Sequence, residues 1–545
     1  MFCLSLLSFL ALYSISSCSA VSSIELNTTN ITHMGWVEAT ITLDRSDVKG
    51  FFLTVHTPSN ADVSPINPLP YPAEAPWIAS AAQKWITCES IPMCADGALT
   101  FTWTFSLVNS YADAIIHGFE GGVEKPSLIA SSPPISFIQA TAPTRGHLAR
   151  LPNPTIMLVT WWSPSPYGTV RWGDSSSSLT QTSPPALAAT YSPSDLCGPP
   201  ATAYGWQEAH FWLSANISGL VPGSSRPVFY TFGDAANGWS EPVPFYPPPL
   251  PADTTRILLL ADNGVTEPDG CVDHWNEPNA SLTVDHLRTL INTDADYWSL
   301  VIHAGDVSYA TGLLAKWATF TARWQGVFDR VPYFVGQGNH ERDFPNSGND
   351  PEYADSMDSG GECGVVTETI FPGSIRWRAL AHGSVHVIML NSELVVAKGS
   401  PQLIWLEETL AAVDRAATPW SIVVFHRPIY AVGVGGTGGT RDPHFAPLEA
   451  VLVAQKVDVV FVGHVHNALV TCAINNSTCQ PGAPVHICIG NAGQTVTPIQ
   501  PTVPEWVDFQ EAAWGFSTLE ANSTHMSVKL FADVGGLWYA VNFTK

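Results

Sequence analysis

The feature that most constrains this chain is a series of short apolar runs, most of them closed by a residue able to bind a cation. After residue 253 the sequence gives "RILLLAD" (256–262), "WSLVIHAGD" (298–306), "VPYFVGQGNH" (331–340), "VHVIMLN" (385–391), "WSIVVFH" (420–426), "VDVVFVGHVH" (457–466) and "PVHICIGNAG" (484–493). Runs this short and this apolar read as strands buried on both faces. Helix-like segments lie between them, among them "SPQLIWLEETLAAVDRAA", with Ser400 as the capping residue and Pro401 at the first helical position. Strands alternating with helices predict an α/β layer fold. The carboxyl ends of such strands are where ligands usually bind.

Upstream, the pattern predicts β-structure throughout. "GWVEATITL" and "GALTFTWTFSLV" fall in a first segment, residues 21–145. "TIMLVTWW", "GTVRWG" and "RPVFYTFGD" fall in a second, residues 146–247, which reads as a small antiparallel sandwich of fibronectin or immunoglobulin type. The stretch "VPFYPPPLPAD" (243–253), with five prolines, predicts a stiff connection, and the third domain is placed at 248–545.

The net charge of −24 excludes the basic footprint of a nucleic-acid binder and disfavours docking on anionic lipid. With 45% hydrophobic and 13% charged residues the chain can bury a core. The run Leu4 to Ile15, followed by Ser17-Cys18-Ser19-Ala20, reads as a signal peptide cut after Ala20 (domain 1–20), too short to span a bilayer. Eight sequons agree with a secretory route: Asn27, Asn30, Asn216, Asn279, Asn475, Asn476, Asn522 and Asn542. Eight cysteines remain after that cut, an even number suited to disulfides in an oxidising compartment. Cys88–Cys94 and Cys472–Cys479 are expected as local pairs, while Cys363 is left to pair within or between chains, which keeps a homodimer open.

The chemistry sits at the run ends. These supply Asp262, Asp306 with Tyr309, Asn339, His426, and His464 with His466. Singly each has an ordinary reading: an Asp after a strand caps a helix, and "GD" and "GN" are turn signals. His303 and His386, alone in apolar strands, read as core residues, and Asn391 is left outside the set. Five such elements at one sheet edge, in order, are a different matter. Two Asp, one Tyr, one Asn and three His form two sets of four ligands if one Asp bridges. A metal pair of that kind clamps an oxyanion and activates water. Phenolate and carboxylate suit a trivalent ion, and the Asn oxygen with two imidazoles suits a divalent one.

The blocks "DNG", "GDVSY", "GNHE", "VVFH" and "GHVH" resemble the five motif blocks of the purple acid phosphatases, within the metallophosphoesterase superfamily. "YSPSDLCGPPATAYGW", "DSGGECGV" and "PVHICIGNAG" resemble the long plant-type branch. The resemblance covers about residues 150–545 and extends only loosely to 21–145. It implies two facing β-sheets flanked by helices. It also implies Fe(III) on Asp262, Asp306, Tyr309 and His466, with a divalent Fe, Zn or Mn on Asp306, Asn339, His426 and His464. A tyrosinate–iron band would give the purple colour, and His340 would contact phosphate or protonate the leaving group. The expected activity is a secreted or vacuolar acid phosphatase that hydrolyses small phosphate monoesters by attack of a metal-bound hydroxide. No nucleic acid, and no stable membrane anchor, is expected as a partner. Three departures surround the substrate: "ADNG" for the commoner "GDxG", the Gly-rich "GVGGTGGTRDPH" where a further His is usual, and "NALV" after "GHVH". Arg441 or His444 is the candidate for the missing substrate contact. Two alternatives remain: a phosphodiesterase or nucleotide pyrophosphatase on the same metals, and an interaction or adhesion protein with an inactive phosphatase domain.

Overall fold

A computed structural model describes residues 22–43, 52–56, 82–87, 100–120, 127–266, 277–294, 296–373, 376–433, 439–500 and 502–545. The expected signal segment and Cys88–Cys94 lie outside them.

The first body is a two-sheet sandwich. One sheet orders Ser23–Leu26, Gly35–Thr42 and Thr100–Leu107; the other orders Ala82–Thr87, Phe52–His56, Ile115–Glu120 and Ser127–Ser131. Along Gly35–Thr42 the residues Val37, Ala39 and Ile41 are buried while their neighbours face outward, the period-two pattern of a strand covered on one side. They pack with Leu53, Val55, Phe101, Phe105 and Ile116 from both sheets. A second sandwich follows the same logic. Thr144–Arg150, Ile156–Ser163, Phe211–Ser218 and Leu187–Ala189 face Gln181–Thr182, Thr169–Gly173, Val228–Asp234 and Gly238–Trp239, around Trp161, Tyr230 and Phe232. The proline-rich connection begins inside this sheet, because Val243–Phe245 pairs with Val228–Tyr230.

The third body carries the apolar runs. Thr255–Leu260, Leu300–His303 and Tyr333–Val335 are parallel neighbours in one sheet, completed by the antiparallel Gly515–Ala521, His525–Ala532 and Leu537–Thr544. Val385–Met389, Trp420–Val424, Val459–Val462 and Val485–Ile489 are parallel in the other. Both faces of these strands are buried, which explains their unbroken apolarity. Ile257 and Leu259 meet Val387, Ile422, Val424 and Phe461 between the sheets, whereas Leu258 and Leu260 pack under the helix Ala280–Thr293. The helices Pro401–Ala411 and Ala446–Ala454 cover the other sheet through Leu406, Leu410 and Leu448. Ser400 caps the first of these helices, its Oγ accepting from the Leu403 amide at 3.3 Å.

Cys472–Cys479 forms as expected from its spacing. The second bridge, Cys197–Cys363, ties the segment after the second sandwich's edge to a loop beside the ligand-bearing strands. Cys488 is buried and reduced. No helix among the described residues is long and apolar enough to cross a membrane. Among the sequons, Asn27, Asn30, Asn216, Asn476 and Asn542 are exposed. Asn279 is not a free acceptor, because its Nδ2 donates to the Asp533 carboxylate.

Asp533 sits in the turn between the last two strands and pins it to the helix Ala280–Thr293, accepting also from Thr283 Oγ1 at 2.5 Å. Burial raises its pKa to about 6, against hydrogen bonds from Thr283 and Asn279 and the charge of His286. A carboxyl raised on folding leaves the native state holding more protons than the unfolded state, so its stability contribution is present below pH 4 and is lost as the pH rises through about 6. Asp533→Asn is therefore expected to raise the unfolding free energy by about 3 kcal/mol at pH 7.5 and by well under 1 kcal/mol at pH 4. Thermal melts of both proteins across that range check it; a constant difference at every pH contradicts it.

Candidate metal centre

The ligand-type residues project from the carboxyl ends of strands in both sheets. Four of them, Asp262 (φ 58°), Asp306 (φ 48°), Tyr309 (φ 49°) and His464 (φ 67°), lie in the left-handed region that side chains avoid. Such positions cost roughly 1–3 kcal/mol each and persist where their surroundings hold them. Here the hold is visible. The amides of Asp262, Asn263 and Gly264 donate to the carbonyls of Gly305, Asp306 and Val307, continuing the strand pairing into the loops. Glu341, fully buried, accepts from Val307 N at 2.8 Å and Gly338 N at 2.9 Å, joining the "GDVSY" and "GNHE" loops through one carboxylate. The glycines make room: a Cβ on Gly463 would lie 2.4 Å from Asp262 Oδ2, and one on Gly338 would lie 2.3 Å from Asp306 Oδ1.

All seven expected ligand residues are brought together. Tyr309 Oη lies 3.0 Å from Asp262 Oδ1, 3.3 Å from Asp306 Oδ2 and 3.1 Å from His466 Nε2. On the other side, His426 Nε2 lies 3.1 Å from the same Asp306 Oδ2 and 3.0 Å from Asn339 Oδ1, which is 3.0 Å from His464 Nδ1. Asp306 Oδ2 thus touches both groups, while its Oδ1 accepts from the His340 amide at 3.0 Å. A single oxygen, rather than the two oxygens of the carboxylate, sits at the junction.

These distances suit metal ions. Ligand atoms at right angles around an ion with bonds near 2.1 Å stand about 3.0 Å apart. Polarity points the same way. His426 Nδ1 donates to the Ala304 carbonyl at 2.9 Å and His466 Nδ1 donates to the Thr495 carbonyl at 2.9 Å. Each ring therefore turns its Nε2 toward the carboxylate oxygens, where either a proton on that nitrogen or a cation between the groups satisfies them. Burial opposes a charged His426, but Asp306 and Asp262 outweigh it and carry its pKa up to about 10. Burial and the same two carboxylates push the Tyr309 phenol well above its usual range, so a phenolate there needs a strong positive centre. His464 is the exception. Its Nε2 faces the Arg427 guanidinium at 3.2 Å, so Nδ1 keeps the proton toward Asn339, and ligation through Nδ1 requires that contact to yield.

Several neighbours were not singled out as site residues from the sequence. Arg427 is wedged between Asp343 Oδ2 (2.9 Å) and Glu393 Oε2 (2.6 Å) and lies over the Tyr353 ring. Its only cue was adjacency to His426. Asp358 accepts from Asn339 Nδ2 at 2.9 Å through its side chain and from His340 Nδ1 at 3.2 Å through its carbonyl. Asn391, left outside the set, braces Gln337 at 2.9 Å, and His303 is buried against the Tyr333 hydroxyl. The two substrate-contact candidates each hold a buried carboxylate: Arg441 Nε pairs with Glu449 Oε2 at 2.5 Å, and His444 Nε2 with Asp350 Oδ2 at 3.2 Å.

Fold and site together define a metallophosphoesterase. The calcineurin-like phosphoesterase model matches residues 255–468, the iron/zinc purple acid phosphatase-like protein C model matches 483–536, and the Fn3-like domain from purple acid phosphatase matches 20–139. The chain is 32% identical over 488 residues to the probable inactive purple acid phosphatase 24 of Arabidopsis thaliana, covering 84% of this chain and 77% of that one. It is 33% identical over 313 residues to a nucleotide pyrophosphatase/phosphodiesterase of Hordeum vulgare, 53% of this chain and 83% of that one. The structure of purple acid phosphatase PPD1 from yellow lupin (Lupinus luteus) superposes with a TM-score of 0.89 at 26% identity, covering 96% of both chains. This chain belongs to the purple acid phosphatase family, and membership implies a dinuclear metal centre.

Steric space at Gly463 gives a direct check. Gly463→Ala is expected to displace the Asp262 carboxylate and lower the bound metal per chain, with a lower melt as well, since the added Cβ also meets Ala261 Cβ at 2.7 Å. Elemental analysis beside a thermal melt reads it; full metal content in the variant contradicts it.

Proposed function

We propose that the chain is a secreted dinuclear-metal acid phosphatase acting on small phosphate monoesters. The observation that carries this reading is a set of seven buried or half-buried ligand-type side chains whose polar atoms lie 3.0–3.4 Å from one another in two groups, joined at Asp306 Oδ2 by Tyr309 Oη and His426 Nε2. Asp262, Asp306, Tyr309 and His466 would hold a trivalent iron; Asp306, Asn339, His426 and His464 would hold a divalent iron, zinc or manganese. Such a pair, when bound, supplies charge neutralisation for phosphoryl oxygens and an activated water. The protein's own part is geometric and acid–base. His340 Nδ1 is held by the Asp358 carbonyl, its ring packs on Tyr309 at 4.5 Å between centroids, and its Nε2 stands 3.9 Å from Asp306 Oδ2. That nitrogen is placed to give a proton to the departing alkoxide.

The secretory route is supported by the exposed sequons and by the two disulfides. The division at residues 20, 145 and 247 is supported by the separate sheet sets on either side of the latter two boundaries. A second reading, a phosphodiesterase or nucleotide pyrophosphatase, is favoured by the barley relative's name. The names of four Arabidopsis relatives carry the words "probable inactive"; the intact donor set favours activity here.

A panel of monoesters, diesters and nucleotides on purified protein separates the readings, with monoesters expected to be fastest and Asp306→Ala expected to lose on the order of 10³-fold. His340→Ala should slow esters of poor leaving groups by about 10²-fold and good ones far less. Equal slowing would remove His340 as the acid, and no hydrolysis of any phosphoester would remove the reading altogether.

A further inference from the structure

We propose that Asp358 is a positioning residue that selects the ligating face of Asn339 and the ring orientation of His340 at the same time. The inference rests on the metal-centre reading above and adds a residue that none of the five motif blocks contains.

Asn339 is buried, and its amide has two ends with opposite chemistry. Its Oδ1 can ligate a cation; its Nδ2 carries hydrogens and cannot. A half-turn about the side chain exchanges them at almost no steric expense, so something outside the amide has to choose. Asp358 Oδ2 does so, accepting from Nδ2 at 2.9 Å and leaving Oδ1 between His426 Nε2 and His464 Nδ1. The carbonyl of the same residue can only accept, so it holds the Nδ1–H of His340 and leaves Nε2 turned inward. One residue thus holds a metal ligand with its side chain and the neighbouring acid with its backbone.

The loop that presents Asp358 is itself restrained. Ser359 N donates to the Asp343 carbonyl at 3.0 Å, Ala201 N donates to the Gly360 carbonyl at 3.0 Å, and Cys363 is bonded to Cys197. Asp343 closes the short helix Asn339–Arg342, so the loop is registered against the helix whose ligand it orients. Groups of this kind behind a metal ligand commonly change metal affinity by about 10–100-fold.

Because its two contacts use different parts of the residue, substitution separates them. Asp358→Ala removes the acceptor for Asn339 but keeps the carbonyl for His340. Full-length protein stripped of divalent ion would be titrated calorimetrically with Zn²⁺ or Mn²⁺, with elemental analysis before and after. Asp358→Ala is expected to bind the divalent ion about 10–100-fold more weakly, to keep the visible tyrosinate band, and at saturating metal to keep the wild-type dependence on leaving group. Asp358→Asn, which retains an acceptor oxygen, should recover most of the affinity. Wild-type affinity in the Ala variant overturns the proposal, as does an Asn variant no better than Ala. So does a metal-free Ala variant that melts lower than metal-free wild type, since the loop would then be merely structural. A wild-type chain that binds no ion pair would instead remove the functional reading on which this rests.

Discussion

The third body poses one electrostatic problem: ligand-type atoms from seven side chains are gathered in the same small volume. Left to themselves, Asp262, Asp306, Tyr309, Asn339 and three imidazoles would relax apart. They are held by left-handed backbone at four positions, by the Glu341 carboxylate that joins two loops, and by glycines whose missing Cβ atoms admit the carboxylates. The two parallel strand sets bring their carboxyl ends to one place, and the apolar layer between the sheets makes that placement rigid. Strain concentrated at a site and met by a packed scaffold is the expected form of a preorganised centre.

Much of this was legible in the sequence because it is written locally. A strand buried on both faces is a contiguous apolar run, and the residue that follows it stands at the sheet edge; Asp262, Asp306, Asn339, His426 and His464 could be read in that way. The Ser400 cap and the Cys472–Cys479 bridge are likewise short-range. What stayed hidden acts through space. Asp358 lies 19 residues from Asn339, and its partner choice depends on a loop held by a disulfide of sequence separation 166. Arg427 was adjacent to a named ligand, yet its partners Asp343 and Glu393 come from other loops. Arg441 and His444 were drawn toward the substrate by the Gly-rich stretch around them. In the structure they pair with Glu449 and Asp350, since a buried carboxylate needs a cation nearby.

The Arg427–His464 contact places a permanent cation against one ring of the divalent half of the site, while the half containing Tyr309 has no such neighbour among the contacts described. The two halves would then hold their ions with different firmness, since the Tyr309 half adds Asp262 and a phenol to the shared Asp306 carboxylate, whereas the other half adds only neutral donors beside a guanidinium.

Anomalous X-ray diffraction from crystals of the full chain, recorded at the iron and zinc edges, tests the central claim most directly. Two peaks are expected about 3.5–4 Å apart, with Asp306 between them and the iron peak on the Tyr309 side. A single peak, or none within reach of Asp306, would contradict it.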